Sequence, residues 1–129
     1  MPPVQTILIV DDHPSFRACA RDTLEAEGFR VVGEAGDGAA AIEAVDRLHP
    51  DAVLLDVQLP DMTGFDLTAR ITRNGTAPAV VIVSSRDAAD YGPLIEQSGA
   101  RGFIAKAELS GAALPVSYTH LTLPTICSV

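Results

Sequence analysis

Residues 52–64 read AVLLDVQLPDMTG, and the fold can be argued outward from that stretch. Four apolar residues run without a break up to Asp56. A strand with one wet face would alternate polar and apolar positions, so an unbroken run predicts a strand covered on both faces. Past the acid, Pro60 interrupts regular structure. Thr63 followed three positions later by Asp66 resembles a capping box and opens a helix towards Arg73. A buried strand thus delivers a carboxylate into a loop, and a helix follows.

The same unit recurs on either side. Residues 6–10 (TILIV) predict a first strand that ends on Asp11-Asp12. Pro14 suits the first turn of a helix, Phe16, Cys19, Ala20, Thr23 and Leu24 recur at helical spacing, and Gly28 is a natural stop. Residues 29–34 (FRVVGE) read as a second strand. Asp37 can cap a helix running to Leu48, with Ala41, Val45 and Leu48 on one face and His49-Pro50 ending it. Downstream, Asn74-Gly75 reads as a turn and residues 79–83 (AVVIV) as a fourth strand ending on Ser84-Ser85. A helix capped from Asp87 and reaching about Ser98 should start late or irregularly, because Gly92-Pro93 falls inside it. Residues 102–105 (GFIA) make a short fifth strand ending on Lys106, and residues 109–114 begin a last helix. Strands alternating with helices predict an α/β fold: a doubly wound parallel sheet with helices on both faces.

Composition narrows the class. The chain has 129 residues, the size of one domain, and 47% hydrophobic content without tryptophan implies an aliphatic core. Seventeen acidic against nine basic residues give a formal charge of −8, which would repel a phosphate backbone, so no contact of this segment with nucleic acid is expected. Cys19 and Cys127 lack metal-type spacing, and Cys19 is expected as a small core residue. There is no basic segment followed by an apolar stretch at the start, and no run approaches the ~20 apolar residues of a membrane span. A cytoplasmic protein without membrane contact is the expectation.

The end of the chain departs from the pattern. Pro115 stops the last helix, and no Asp, Glu, Lys or Arg occurs from Ser110 to Val129. A covering helix needs a polar side, which PVSYTHLTLPTICSV lacks. SYTHLTLPT also resembles translated sequencing-adapter read-through. The expected division is a domain over residues 1–114 and a non-native or disordered tail over 115–129.

Ligands of open parallel sheets bind outside the carboxyl ends of the strands. The polar residues expected there are Asp11, Asp12, Asp56, Ser84 and Lys106. Singly, each has an ordinary structural reading as a cap, a turn residue or a surface lysine. Together they form a chemical set. Carboxylates suit a hard cation such as Mg²⁺, a carboxylate can attack phosphorus, an ammonium can neutralise transferring oxygens, and a hydroxyl can bond them on arrival.

The motifs ILIVDD, LLDVQLPDMTG, VIVSS and GFIAK, with Pro60 and Gly64 in the loop, resemble those of the receiver domains of response regulators, the CheY-like superfamily. The resemblance covers about residues 6–114 and implies a flavodoxin-like five-stranded sheet of order 2-1-3-4-5. It implies that Asp56 accepts a phosphoryl group from a histidine kinase. Asp12, Asp56 and the backbone carbonyl of Gln58 would hold Mg²⁺, with Asp11 helping through water. Lys106 would pair with the phosphoryl group, Ser84 would move to bond it, and Phe103 would swing inward as Ser84 moves. DDHPSFR, GEAGDG and KAELSG look most like the NarL/LuxR-type subfamily, which joins a receiver to a helix-turn-helix DNA-binding domain. Such a protein is a signalling switch in a two-component system, a transcription regulator, and not an enzyme with a separate substrate. A homodimer is a further option, although the face that would serve it includes the shortened last helix. Ala107 stands where many members have proline, which weakens the expectation of a cis bond there.

Two other readings compete. A haloacid-dehalogenase-like phosphatase also forms an aspartyl phosphate, but its first-strand pattern needs a second acid that Asp11-Asp12-His13-Pro14-Ser15 does not supply. A phosphorylation-independent interaction module would be expected to have lost some of the five site residues, and all are present.

Overall fold

The computed structural model describes residues 5–72, 78–85 and 91–106. Five parallel strands, β1 (Thr6–Val10), β2 (Arg30–Ala35), β3 (Ala52–Asp56), β4 (Ala79–Ser84) and β5 (Gly102–Ala105), form one sheet in the order β2-β1-β3-β4-β5. Helices α1 (Pro14–Ala26), α2 (Gly38–Leu48), α3 (Gly64–Ile71) and α4 (Leu94–Gln97) alternate with them. This is the flavodoxin-like arrangement implied by the sequence motifs.

The unbroken apolar runs are explained by two covered faces. Ile7, Ile9, Leu54, Val81, Val83 and Ile104 pack with Phe16, Ala20 and Leu24 of α1. The alternate residues Leu8, Val10, Val53, Leu55, Val80 and Ile82 pack with Ala41 and Ala44 of α2 and Leu67 and Ile71 of α3. Side chains alternate across a strand, so the central strands β1, β3 and β4 must be apolar at nearly every position to serve both layers, while the edge strand β2 carries exposed Arg30 and Glu34. Cys19 is only partly buried, packed against the α1 layer.

Boundaries differ from expectation where a backbone group finds another partner. Phe29 was expected to open β2, but its N–H donates to the Leu24 carbonyl at 3.0 Å and so belongs to the end of α1. Ala35 joins the ladder instead, and its carbonyl accepts from Asp11 N. α2 is capped by Asp37, whose carboxylate accepts from Ala40 N at 2.7 Å. Thr63 caps α3 by accepting from Asp66 N at 3.1 Å. α4 is a single turn that starts after Gly92 (φ 57°) and Pro93, the late start that this pair predicts. The Asn74-Gly75 turn, the Asp87 cap, Ala107 and the bond before it, the last helix and the tail lie outside the described residues.

Candidate functional site

The chain runs from β1 outward to β2, then returns to β3 on the other side of β1, so strand order reverses between β1 and β3. That reversal leaves a crevice at the carboxyl edge. The sequence-predicted site residues arrive there from four neighbouring strands.

Asp11 follows β1 and is wholly buried. Its N–H donates to Ala35, its carbonyl accepts from Arg17 Nη1 at 2.5 Å, and its Oδ1 accepts from His13 N at 2.8 Å. Its main chain and one carboxylate oxygen are thereby fixed. Oδ2 is buried without a hydrogen bond and meets the Lys106 ammonium as an ion pair at 2.8 Å. Asp12 is more exposed, and its Oδ1 lies 3.0 Å from His13 Nδ1.

Asp56 ends β3 and is only 6% exposed. Its pKa is raised from 3.8 to about 6. Burial is the main cause and the nearby Asp11 charge adds to it, while Lys106 and the Gln58 N–H oppose them. Lys106 Nζ stands 3.7 Å from Asp56 Oδ2 and 4.4 Å from the centre of the Phe16 ring. One ammonium therefore reaches both buried acids.

The loop after Asp56 is held close to it. Gly64 N donates to Val57 O, Leu59 N to Met62 O, and Gln58 bridges Thr63. A Cβ at Gly64 would overlap the Asp56 carbonyl oxygen and sit 2.9 Å from Val57 Cα, so only glycine fits. Asp61 accepts from Gly38 N at 2.8 Å and from Ala39 N at 3.0 Å, fastening this loop to the start of α2. Those N–H groups hold the Asp61 carboxyl below its usual pKa.

Asp12, Asp56, Gln58, Ser84 and Lys106 line one pocket of about 250 Å³. Phe103 is half-buried in β5 and packs on the α2/α3 side of the sheet. It is connected to the pocket through Tyr91, whose ring centre is 5.7 Å away. Sequence reasoning missed three members of the site. His13 lines the pocket and lies 3.0 Å from both acids of the pair, a position its place next to Asp12 could have suggested. Tyr91 also lines the pocket and shares a 2.6 Å hydrogen bond with Ser84, and Ser85 lines it as well. Tyr91 carries no motif signal, because only the fold brings it back to β4.

The sequence pattern of the response regulator receiver domain matches residues 7–113. The chain belongs to that family. It is 39% identical over 101 residues to the nitrate/nitrite response regulator NarP of Escherichia coli, covering 78% of this chain and 47% of NarP. The signal receiver domain of the response regulator NarL from Mycobacterium tuberculosis superposes with a TM-score of 0.75 at 34% identity, covering 81% of this chain and 85% of that one. A Borrelia burgdorferi CheY, solved as a complex with CheX, BeF3 and magnesium, gives a TM-score of 0.73 at 26% identity, covering 79% of this chain and 78% of that one. This receiver domain is thus of the NarL/LuxR type within two-component systems. It spans about half the length of curated relatives such as NarP. Among the described residues no helix is long and apolar enough to cross a membrane.

Proposed function

We propose that this receiver domain is a phosphorylation switch, with Asp56 accepting a phosphoryl group from a histidine kinase. One observation carries the reading: Lys106 reaches two buried acids from β1 and β3 at once, at 2.8 and 3.7 Å, beside the Ser84 hydroxyl. A desolvated carboxylate is a stronger nucleophile than a hydrated one, and it has a cation in reach of the oxygens it would attack. The Asp56 oxygen forms a bond to phosphorus as the P–N bond of phosphohistidine breaks, and the imidazole recovers a proton. Lys106 then pairs with the phosphoryl oxygens, Ser84 donates to one of them, and Phe103 moves inward.

The residues also fit Mg²⁺. The ligand atoms of Asp11, Asp12, His13 and Asp56 lie within 4.8 Å of one another, and the buried Asp11 Oδ2 has the Lys106 ion pair but no hydrogen bond. Asp12, Asp56 and the Gln58 carbonyl would hold the ion, with Asp11 acting through water. The ion would supply charge neutralisation to crowded carboxylates and phosphoryl oxygens. The magnesium in the Borrelia CheY complex supports Mg²⁺ as the kind of ion. The match covers half of EvgA, a DNA-binding transcriptional activator of Escherichia coli, which supports output through a DNA-binding domain in a longer protein.

Incubation with acetyl phosphate and Mg²⁺ tests the reading. One phosphoryl group should appear by intact mass, acetate should leave, and Asp56→Asn should abolish the gain. A folded wild-type chain that gains no mass would overturn it. Steady release of phosphate from monoesters would point to a phosphatase.

A further inference from the structure

Tyr91 has no role in the chemistry above, yet it touches both residues that are meant to move. Its hydroxyl lies 2.6 Å from Ser84 Oγ, at the short end for an O–H···O bond. Its ring is fixed from two directions, edge-on to Phe65 of α3 at 5.3 Å and 66°, and tilted against Phe103 of β5 at 5.7 Å and 54°. Aromatic pairs with centres in this range favour such non-parallel packing. Ser84 itself ends β4 and pairs with Ala105 of β5, so its backbone is held on that side. The side chain can turn its hydroxyl towards a group on Asp56, and because one O–H donates to one partner at a time, a bond given to that group is withdrawn from Tyr91.

Resting on the switch reading, we propose that Tyr91 is a positioning residue: its hydroxyl holds Ser84 in the resting place and its ring ties that place to Phe103, so phosphoryl capture at Asp56 must break the Ser84–Tyr91 bond. Tyr91 then opposes activation and sets the threshold for it. Loss of the bond frees the ring that packs on Phe103, which connects the pocket to the outer part of β5.

Beryllium fluoride with Mg²⁺ is a suitable probe, with binding to the full chain followed by calorimetry. Tyr91→Phe keeps the ring and removes the bond. It should tighten binding roughly three- to tenfold, the range of one net hydrogen bond. In a Ser84→Ala background the same change should have no effect, because its route runs through Ser84. Unchanged or weaker binding by Tyr91→Phe, or equal tightening in both backgrounds, would overturn the proposal. A second measurement does not depend on that variant. Tyr91 and Tyr118 are the only tyrosines and tryptophan is absent, so in Tyr118→Phe the near-ultraviolet tyrosine absorption reports Tyr91 alone. That absorption should shift with the same half-saturation as binding, and a silent spectrum would also sink the idea. If the wild-type chain binds no beryllium fluoride, the switch reading fails, and this inference fails with it. If it binds but Tyr91 makes no difference, only the inference fails.

Discussion

Asp51 and Asp56 bracket the same strand and have opposite surroundings. Asp51, at the amino end of β3, is exposed and well supplied with bonds. Its carboxylate accepts from Thr6 N at 2.8 Å and Thr6 Oγ1 at 3.0 Å, while its own N–H donates to Thr6 and its carbonyl accepts from Ala79 N. It laces β1, β3 and β4 together. Asp56, at the carboxyl end, is buried beside another acid, and its pKa is raised to about 6. An acid at a strand end holds the fold where donors saturate it. Where burial and a like charge leave it in deficit, it holds a proton more tightly and is a candidate for chemistry.

The largest effect that would test this contrast is expected at Gly64. A Cβ there meets main chain, which cannot turn aside as a side chain could. Gly64→Ala should cost about 3 kcal/mol in urea unfolding and abolish beryllium fluoride binding. A stable variant that still binds would show that the loop after Asp56 need not stay so close.

Asp56→Asn should act in the opposite direction on stability. The folded pKa lies above the unfolded one, so the native state holds the proton more tightly and wild-type stability falls as pH rises from about 3.8 to about 6. In metal-free buffer at about pH 7.5, Asp56→Asn should be more stable than wild type by on the order of 1–3 kcal/mol, the difference fading as pH drops through that window. Equal urea midpoints across the whole range would remove the argument that Asp56 is held in deficit.

The smallest effect is expected at the other end of the strand. Asp51→Ala should lower stability by about 1 kcal/mol, since its bonds are exposed to water, and should leave phosphoryl uptake unchanged. Loss of uptake in that variant would mean that the two ends of β3 are not separable.

The strands and the site edge were legible because an apolar run ending in a polar residue is a local signal. Residues 6–10 and 102–105 fall where that signal puts them, and the strand expected over 52–55 runs one residue further, to Asp56. β2 was read one residue early because Phe29 looks like a strand residue, and only the Leu24 carbonyl shows otherwise. Asp11, Asp12, Asp56, Ser84 and Lys106 could be named from sequence as strand-end groups. The Ser84–Tyr91 bond and the Asp61 hold on α2 could not, because both depend on which loops the topology folds back over the sheet. The split of duties between Asp51 and Asp56 was equally hidden, since the two acids look alike in the sequence and differ only in what surrounds them.

The Lys106–Asp11 ion pair has a consequence for how the molecule is assembled. The two partners come from β5 and β1, separated in the sheet by β3 and β4, and they lie near opposite ends of the described chain. During synthesis Asp11, Asp12 and Asp56 emerge well before the amine that balances them. A chain folded only as far as β3 would carry three crowded carboxylates without their cation, and closing so long a loop is a slow and entropically costly step. Completion of the ion pair therefore marks the completed five-stranded sheet. A partly made chain has the acids but not the ammonium that balances them.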